Sequence, residues 1–423
     1  MARLVCPETG EEAAFGTLEL ESPSGGLYDV RHSFSSGITR ELFDRRVAAP
    51  RAPGTSGVWR FRELVDPDLP SAAVVSLCEG NTPLYTSSPL SEYCCIERLW
   101  LKHEGANPTG SFKDRGMTVA VSRAVAAGAE VLACASTGNT AASLAAYSAR
   151  AGVRAVILVP ESSTAAGKLS QAVAYGARTL RVRGGFDVAM NLVRELARTG
   201  EVALLNSANP FRIEGQKTIV LEVLQQLAWD PPDWLVFPAG NLGNCAAFGK
   251  ILRELVELGL IERVPRLAAV QAEGAAPFAR AFAQDFARLI PVEPETLASA
   301  IRIGNPVSYA RAVRSIRETD GTVLAVSDED ILDAKAAVDA AGLGAEPASC
   351  AALAGAKKLA LRGVIDLGER VVCVLTGHLL KDPDTTLAYH EGRLGPAARA
   401  NAPVIVEPDL EALRSAIGST GTP

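Results

Sequence analysis

Residues 131–152 read VLACASTGNTAASLAAYSARAG, and this stretch indicates the fold class. The apolar run VLACAS ends in Ser136, Gly138 supplies a turn, and the alanine-rich segment that follows has the period of a helix. A short apolar strand that leads directly into a helix is typical of a parallel sheet covered by helices. The stretch therefore predicts an α/β protein.

The same alternation of strand and helix recurs along the chain. Further strands are predicted at AVILVP (155–160), TLRVR (179–183), VALLN (202–206), WLVFP (234–238), LAAVQAE (267–273) and VVCVLT (371–376). Such a pattern predicts parallel sheets with helices on both faces. Because ligands of these sheets bind at the carboxyl ends of the strands, functional residues are expected just after the apolar runs.

Composition narrows the possible partners and the compartment. A chain of 423 residues is long enough for two domains of ordinary size, and its net charge of −6 argues against a nucleic acid as the main partner. No apolar run has the length of a membrane span, and the first residues do not resemble a signal peptide. Most of the eight cysteines lie in apolar runs, which is typical of reduced thiols and predicts a cytoplasmic protein.

The segment PAGNLGN (238–244) follows the predicted strand WLVFP and precedes a helical pattern. Its glycines let backbone N–H groups turn inward, and the start of a helix adds partial positive charge, so the loop suits a phosphate group. It lacks both the Gly-Lys-Ser/Thr ending of a nucleoside-triphosphate loop and the Gly-x-Gly-x-x-Gly dinucleotide pattern. By itself it is equally compatible with an ordinary glycine-rich turn.

Lys113 lies in HEGANPTGSFKDRGM (103–117), after a turn and beside Phe112. A lone lysine is usually solvated, but desolvation here would lower its pKa and make the amine a nucleophile and a base. Thr376 ends a nearly apolar strand, where a hydroxyl needs a partner. A lysine that forms a Schiff base, a phosphate loop and a hydroxyl for a pyridine nitrogen are what pyridoxal phosphate requires.

The chain resembles the threonine synthases, in the β-family (fold type II) of pyridoxal-phosphate enzymes. The resemblance rests on seven stretches in the family's order: SGVWRFRELV (56–65), LCEGNTPLY (77–85), HEGANPTGSFKDRGM, ASTGNTAASLAAYSARAG (135–152), NSANPFRIEGQKT (206–218), PAGNLGN and LTGHLLKDP (375–383). It implies two parallel or mixed twisted sheets, each flanked by helices as in the tryptophan synthase β subunit, and an N-terminal extension. The implied division is an extension over 1–59, a large cofactor-binding domain over 60–107 and 207–390, a small α/β domain over 108–206 and a tail over 391–423.

The resemblance also implies roles for individual residues. Lys113 would bind the cofactor aldehyde and then move protons, Asn139 would contact the pyridoxal 3′-oxygen, and Thr376 would meet the ring nitrogen. The cofactor phosphate would lie in the loop Gly240, Asn241, Leu242, Gly243 and Asn244. The substrate carboxylate would contact Ser136, Thr137 and Thr140, and the substrate phosphate would contact Lys168, Asn209 and Arg212. For these last three residues an ordinary surface role is an equal possibility.

The implied activity is that of a lyase in threonine biosynthesis that converts O-phospho-L-homoserine and water to L-threonine and phosphate. A homodimer is expected, with a phospho-amino acid as the small-molecule partner.

Three departures from the family's pattern leave the substrate and the reaction open. CPETGEE (6–12) keeps one cysteine where many threonine synthases have a zinc ribbon, so we expect the ribbon's shape without metal. Leu379 replaces a usual glycine near the cofactor ring, and His103 replaces a usual aromatic residue. These changes are compatible with a cysteate-synthase-like or specialised enzyme that uses another phospho-amino acid or nucleophile. A serine/threonine dehydratase and a non-catalytic cofactor-binding protein are two further possibilities.

Overall fold

A computed structural model describes residues 2–47, 55–161, 166–395 and 397–418, without the side chains of residues 166–168 and 418. Its strands are β1 (Arg3–Val5), β2 (Glu12–Ala13), β3 (Asp29–Arg31), β4 (Leu84–Tyr85), β5 (Arg98–His103), β6 (Val131–Ala135), β7 (Arg154–Pro160), β8 (Arg178–Val182), β9 (Ala203–Leu204), β10 (Trp234–Pro238), β11 (Arg266–Ala272), β12 (Thr322–Val326) and β13 (Arg370–Leu375).

These strands form three sheets. The largest has the order β12-β11-β10-β13-β5-β4 and is parallel except for the β4–β5 pair. A parallel four-stranded sheet has the order β8-β7-β6-β9. The third sheet, β2-β1-β3, is antiparallel and belongs to the N-terminal extension. The predicted α/β class with two parallel or mixed sheets is confirmed.

Sixteen α-helices connect and cover the sheets in the described part of the chain. They are α1 (Arg40–Val47), α2 (Arg62–Val65), α3 (Ser88–Cys94), α4 (Lys113–Ala126), α5 (Asn139–Ala151), α6 (Ala166–Ala174), α7 (Phe186–Arg198), α8 (Pro210–Gln216), α9 (Thr218–Gln226), α10 (Gly243–Glu257), α11 (Pro277–Phe282), α12 (Tyr309–Glu318), α13 (Asp328–Ala340), α14 (Pro347–Leu361), α15 (Pro383–His390) and α16 (Leu410–Gly418). In the described part of the chain, no helix has the length and apolar character needed to cross a membrane.

The strands predicted from apolar runs are confirmed to within a few residues, but β4, β5 and β12 of the large sheet were missed. Strand β5, RLWLKH, contains Lys102, and a lysine is unexpected in a strand that is buried on both faces. The structure buries Lys102 completely, because its ammonium donates to Glu222 at 2.8 Å and to the Thr82 carbonyl at 2.7 Å. The ion pair with Glu222, on helix α9, therefore offsets the cost of burying the lysine of this strand.

Helix α4 runs through the interior, and ten of its residues are buried. It packs against α8 at unusually short range, because a side chain at Gly116 would collide with the Arg212 backbone and one at Gly215 would collide with that of Arg115. Glycine at both positions lets the two helix backbones touch. Lys113 is the first residue of α4, so the helix also sets where this lysine lies.

The N-terminal sheet is compact around its first turn. Cys6 lies against Gly26, where an added side chain would collide with the Cys6 sulfur. The Ser22 hydroxyl accepts from the Gly26 N–H at 3.3 Å and lies 3.5 Å from the Thr9 hydroxyl. The ribbon-like interpretation and the domain bounds stay predictions; the four-stranded sheet takes its strands from residues 131–204, within the predicted small domain.

Candidate active site

A backbone junction joins the turn before Lys113 to the end of strand β13. The Phe112 N–H donates to the Thr376 carbonyl at 3.0 Å, the His378 N–H donates to the Gly110 carbonyl at 2.9 Å, and Ser111 pairs with Gly377 as an antiparallel bridge. These bonds hold the two segments side by side in a fixed alignment, although they are more than 260 positions apart in the chain. As a result, Lys113 and Thr376 lie at the same edge of the large sheet.

Lys113 has the environment of a reactive amine. Its ammonium lies 4.1 Å from the centre of the Phe112 ring, and none of the described carboxylates lies within ion-pairing distance. Burial and, to a smaller extent, the Arg212 guanidinium lower the pKa of Lys113 to about 7, and Glu346 opposes this change. An amine with this pKa is substantially unprotonated at neutral pH, as a nucleophile or a base requires.

The first turn of α14 supports Asn139 and Thr376 together. The Asn139 amide donates to both carboxylate oxygens of Glu346 at 3.1 and 3.2 Å, and the hydroxyls of Ser349 and Thr376 are 3.0 Å apart. Ser349 also accepts from the Gly377 N–H at 2.8 Å. Glu346 and Ser349 were not among the residues predicted from sequence. The segment EPAS (346–349), here called the EPAS turn, carried a signal, because its two polar residues are three positions apart and so lie on one helix face.

The predicted phosphate loop has the backbone shape that an anion needs. Strand β10 ends at Pro238 and helix α10 begins at Gly243, with Leu242 in the left-handed region at φ 65°. The first N–H groups of a helix have no carbonyl one turn earlier, and a left-handed residue beside them makes a concave nest of N–H donors. A side chain at Gly240 would lie 3.1 Å from the Ile301 Cα atom, so this turn has no room for one without displacement.

Several buried polar atoms in this loop, on α8, before α12 and in the turn before Lys113 have no hydrogen-bond partner among the described residues. They are Ser111 Oγ, Arg212 Nε, Gln216 Oε1, Asn244 Oδ1 and Ser308 Oγ. Buried polar groups are almost always satisfied, so the unpaired atoms of Gln216, Asn244 and Ser308, in and beside the loop, indicate a polar ligand there. Gln216 and Ser308 were not among the residues predicted from sequence; Gln216 lies beside Gly243, and Ser308 donates its N–H to the Asn241 carbonyl at 3.2 Å.

Arg212 is a buried cation beside the reactive lysine. It is 1% exposed, and among the described residues no carboxylate forms an ion pair with it. Its Nη1 atom donates to the Leu205 carbonyl at 3.3 Å, and burial lowers the pKa of Arg212 to about 10. Because a buried guanidinium without a counter-ion is costly, this arrangement favours an anionic ligand.

The other residues predicted to bind the substrate differ in whether their polar groups already have hydrogen-bond partners. Asn209 caps α8 by accepting from the Phe211 N–H at 3.0 Å and donates to the Leu204 carbonyl at 3.3 Å, so both ends of its amide are already bonded. Ser136 accepts from the Gly138 N–H at 3.2 Å, Thr137 is half-buried beside it, and Thr140 is buried in the first turn of α5. The side chain of Lys168 lies outside the described residues.

His103 and Leu379, the two departures near the site, contact one loop. The His103 ring nitrogen Nε2 lies 2.8 Å from the Leu343 carbonyl oxygen and 3.1 Å from that of Gly344. The Leu379 side chain packs on Gly344, where an added Cβ would collide with it, and Gly344 has φ 59°. This loop leads directly into Glu346, which orients Asn139. His103 and Leu379 therefore both contact the segment that positions Glu346.

Comparison with known proteins identifies the family. A model of the pyridoxal-phosphate dependent enzymes matches residues 75–377. A threonine synthase of Methanocaldococcus jannaschii is 45% identical over 392 residues, covering 92% of this chain and 93% of its own. A threonine synthase of Methanosarcina acetivorans is 43% identical and 99% of each chain is covered. The chain belongs to the threonine synthases.

The fold comparison agrees. The threonine synthase of Escherichia coli superposes with a TM-score of 0.71 at 20% identity over 99% of both chains. A tomato threonine deaminase superposes with a TM-score of 0.66 at 20% identity, covering 86% of this chain and 91% of its own. At such identities the likeness shows a shared fold, and the assignment to the threonine synthases rests on the more similar relatives.

The enzyme depends on pyridoxal phosphate, and the residues of the cleft fit this cofactor. Lys113 offers an amine for the aldehyde, and the loop over residues 240–244 offers N–H donors for the phosphate. Asn139 offers an amide and Thr376 a hydroxyl, each already oriented by a residue of the EPAS turn. These four groups correspond to the four polar positions of the cofactor.

Proposed function

We propose that this threonine synthase converts O-phospho-L-homoserine and water to L-threonine and phosphate at the cleft around Lys113. The single observation that carries the proposal is that two buried basic groups are neighbours: the Lys113 amine, whose pKa is depressed, and the Arg212 guanidinium, which has no carboxylate partner among the described residues. An amine of this kind moves protons at neutral pH, and a guanidinium holds a phosphate by two parallel hydrogen bonds. The 43–45% identity to threonine synthases supports the same reaction.

In this proposal the cofactor is held by Lys113, by the loop over residues 240–244, by Asn139 and by Thr376. When bound, pyridoxal phosphate stabilises negative charge on the carbon next to the substrate amine. Thr376 is a neutral hydroxyl already bonded to Ser349, so it meets the ring nitrogen without adding charge. Glu346 accepts two hydrogen bonds from the Asn139 amide and so fixes the orientation of that amide.

Lys113 is the proposed base and acid of the reaction. Its Nζ atom removes the proton on the carbon next to the substrate amine and returns protons in later steps. Arg212 has two effects: its charge lowers the pKa of Lys113, and its guanidinium binds the substrate phosphate. Ser136, Thr137 and Thr140 are proposed to bind the substrate carboxylate. Asn209 is proposed to orient α8, the helix that carries Arg212, because it is the N-cap of that helix.

The test is a comparison of substrates. Purified enzyme is given O-phospho-L-homoserine, or O-phospho-L-serine with and without sulfite, and inorganic phosphate and amino-acid products are measured. L-Threonine and L-serine are assayed separately for ketoacid formation. We expect phosphate and threonine in equal amounts from phosphohomoserine. Faster phosphate release from phosphoserine would indicate a cysteate-synthase-like enzyme instead, and ketoacid from threonine as the main product would indicate a dehydratase.

The compartment and the assembly are also proposals. All eight cysteines are free, which supports a reducing, cytoplasmic setting. The homodimer is tested by the mass of the purified protein in solution, which should be about twice the 44.3 kDa of one chain.

A further inference from the structure

Helix α8 has two faces with different partners. Arg212 and Gln216, four positions apart, lie beside Lys113 and the phosphate loop. Phe211 and Glu214, three positions apart, contact residues of the N-terminal extension. Residues three or four apart lie on one side of a helix. One side of this short helix therefore faces the extension, and another side faces Lys113 and the phosphate loop.

The aromatic half of this contact is close to Arg212 in the chain. The Phe15 and Phe211 rings meet edge to face with centroids 5.6 Å apart. The guanidinium carbon of Arg123, a residue of α4, lies 4.3 Å from the centre of the Phe15 ring. The residue that precedes Arg212 is therefore packed between the extension and the central helix.

The ionic half of the contact is buried. His32 Nε2 and Glu214 Oε2 are 2.6 Å apart, and their side chains are 1% and 0% exposed. Lys250 joins the same carboxylate to the N-terminal sheet, with distances of 2.6 Å to Glu214 and 2.8 Å to Asp29. His32, Glu214 and Glu254 bring three possible metal ligands together. However, Lys217 pairs with both of these glutamates at 2.5 and 2.7 Å, so ammonium groups already neutralise the cluster.

We propose that the N-terminal extension positions Arg212 and so sets the affinity of the cleft for the substrate phosphate. His32 and Phe15 are the positioning residues, and they act through Glu214 and Phe211. The inference rests on the proposed role of Arg212 as a phosphate ligand. A guanidinium binds phosphate through two directed bonds, so a small rotation of α8 weakens phosphate contact. The cofactor loop is affected less, because its backbone joins β10 to α10 and meets α8 through the Gln216 side chain.

The experiment uses the full-length holoenzyme and inorganic phosphate as a competing ligand. The variants are His32→Ala, His32→Gln, Phe15→Ala and, as a matched control within the N-terminal extension, Arg3→Gln, whose pair with Glu12 is exposed. His32→Ala and Phe15→Ala should raise the phosphate inhibition constant and the substrate KM by roughly tenfold. The kcat at saturating substrate and the cofactor dissociation constant should change much less than the KM does, because Lys113 lies on α4 and the cofactor loop precedes α10.

The conservative variant separates positioning from general loss of structure. His32→Gln keeps an N–H donor within reach of Glu214 and should restore most of the phosphate affinity, and Arg3→Gln should change nothing. Unchanged phosphate inhibition in His32→Ala and Phe15→Ala would overturn the inference, as would a parallel fall of kcat, cofactor affinity and melting temperature. Arg212→Met is the reference: if it too leaves phosphate inhibition unchanged, the proposed phosphate role of Arg212 is wrong instead.

Discussion

The Phe112 N–H donates to the Thr376 carbonyl at 3.0 Å, so the residue before the reactive lysine is bonded to the residue proposed to face the cofactor ring nitrogen. This bond joins the start of helix α4 to the end of strand β13. It brings the backbone that carries the amine and the backbone that carries the hydroxyl to the same edge of the large sheet.

Substitution of Lys113 should abolish turnover. Lys113→Ala removes the amine proposed to hold the cofactor and transfer protons, so the absorbance of lysine-bound cofactor and the release of phosphate should both disappear. Spectra of the purified protein and borohydride trapping followed by peptide mass analysis measure this. Lys358→Ala, which removes a lysine on the outer part of α14, is the control. Turnover of Lys113→Ala near that of the parent enzyme would exclude the proposed mechanism.

The pH dependence of cofactor capture should reflect the lowered pKa of Lys113. Only the unprotonated amine attacks an aldehyde, so capture by cofactor-free enzyme should accelerate as pH rises through about 7 and then level off. An ordinary lysine, with a pKa of 10.5, would keep accelerating well above that. Because Arg212 lowers the pKa of Lys113, Arg212→Met should move the midpoint upward. Stopped-flow absorbance measures the midpoint, and an unmoved midpoint in this variant would show that Arg212 has no such effect.

The EPAS turn should control cofactor affinity. Ser349→Ala removes the partner of the Thr376 hydroxyl, and Glu346→Gln changes the group that orients Asn139. Each should weaken cofactor binding by roughly tenfold, because a hydrogen bond to a buried group contributes about 1–2 kcal/mol. Equilibrium dialysis or fluorescence titration gives the dissociation constant. Thr376→Val and Asn139→Ala should show effects at least as large, and full affinity in both of these would remove them from the site.

Glu222 should be a major determinant of stability. Burial alone would raise its pKa, but Arg115, Lys102 and Arg60 hold the pKa of Glu222 well below its usual range. Glu222→Gln leaves three buried cations without this carboxylate and should lower the free energy of unfolding by about 3–5 kcal/mol. Glu12→Gln, in an exposed pair, should cost less than about 1 kcal/mol. Denaturant unfolding measures both changes.

The same ion cluster predicts how stability changes with pH. A carboxyl whose folded pKa is depressed stabilises the protein at pH values above its unfolded pKa, and that contribution is lost as pH falls through the acid range. The difference in stability between the parent enzyme and Glu222→Gln should therefore shrink on acidification. A difference that stays constant from neutral to acid pH would show that the charge of Glu222 is not its source.

Local patterns were enough to predict much of this enzyme. The alternation of apolar runs and helical segments predicted the sheets, and the turn before Lys113 and the PAGNLGN loop indicated the residues that we propose to hold the cofactor. These features depend on neighbouring residues, since strand burial, helix periodicity and turn chemistry each act over a few positions.

Only the tertiary structure identified the residues that support the site. Glu346 meets Asn139 across 207 positions, and His32 meets Glu214 across 182, and no local periodicity marks such pairs. Nothing next to Lys102 in the chain indicates that Glu222 is its partner in the interior. The sequence by itself thus determined most of the parallel strands and indicated the candidate reactive groups. Tertiary packing decided their pKa values and orientation, because desolvation and ion pairing depend on which distant segments meet.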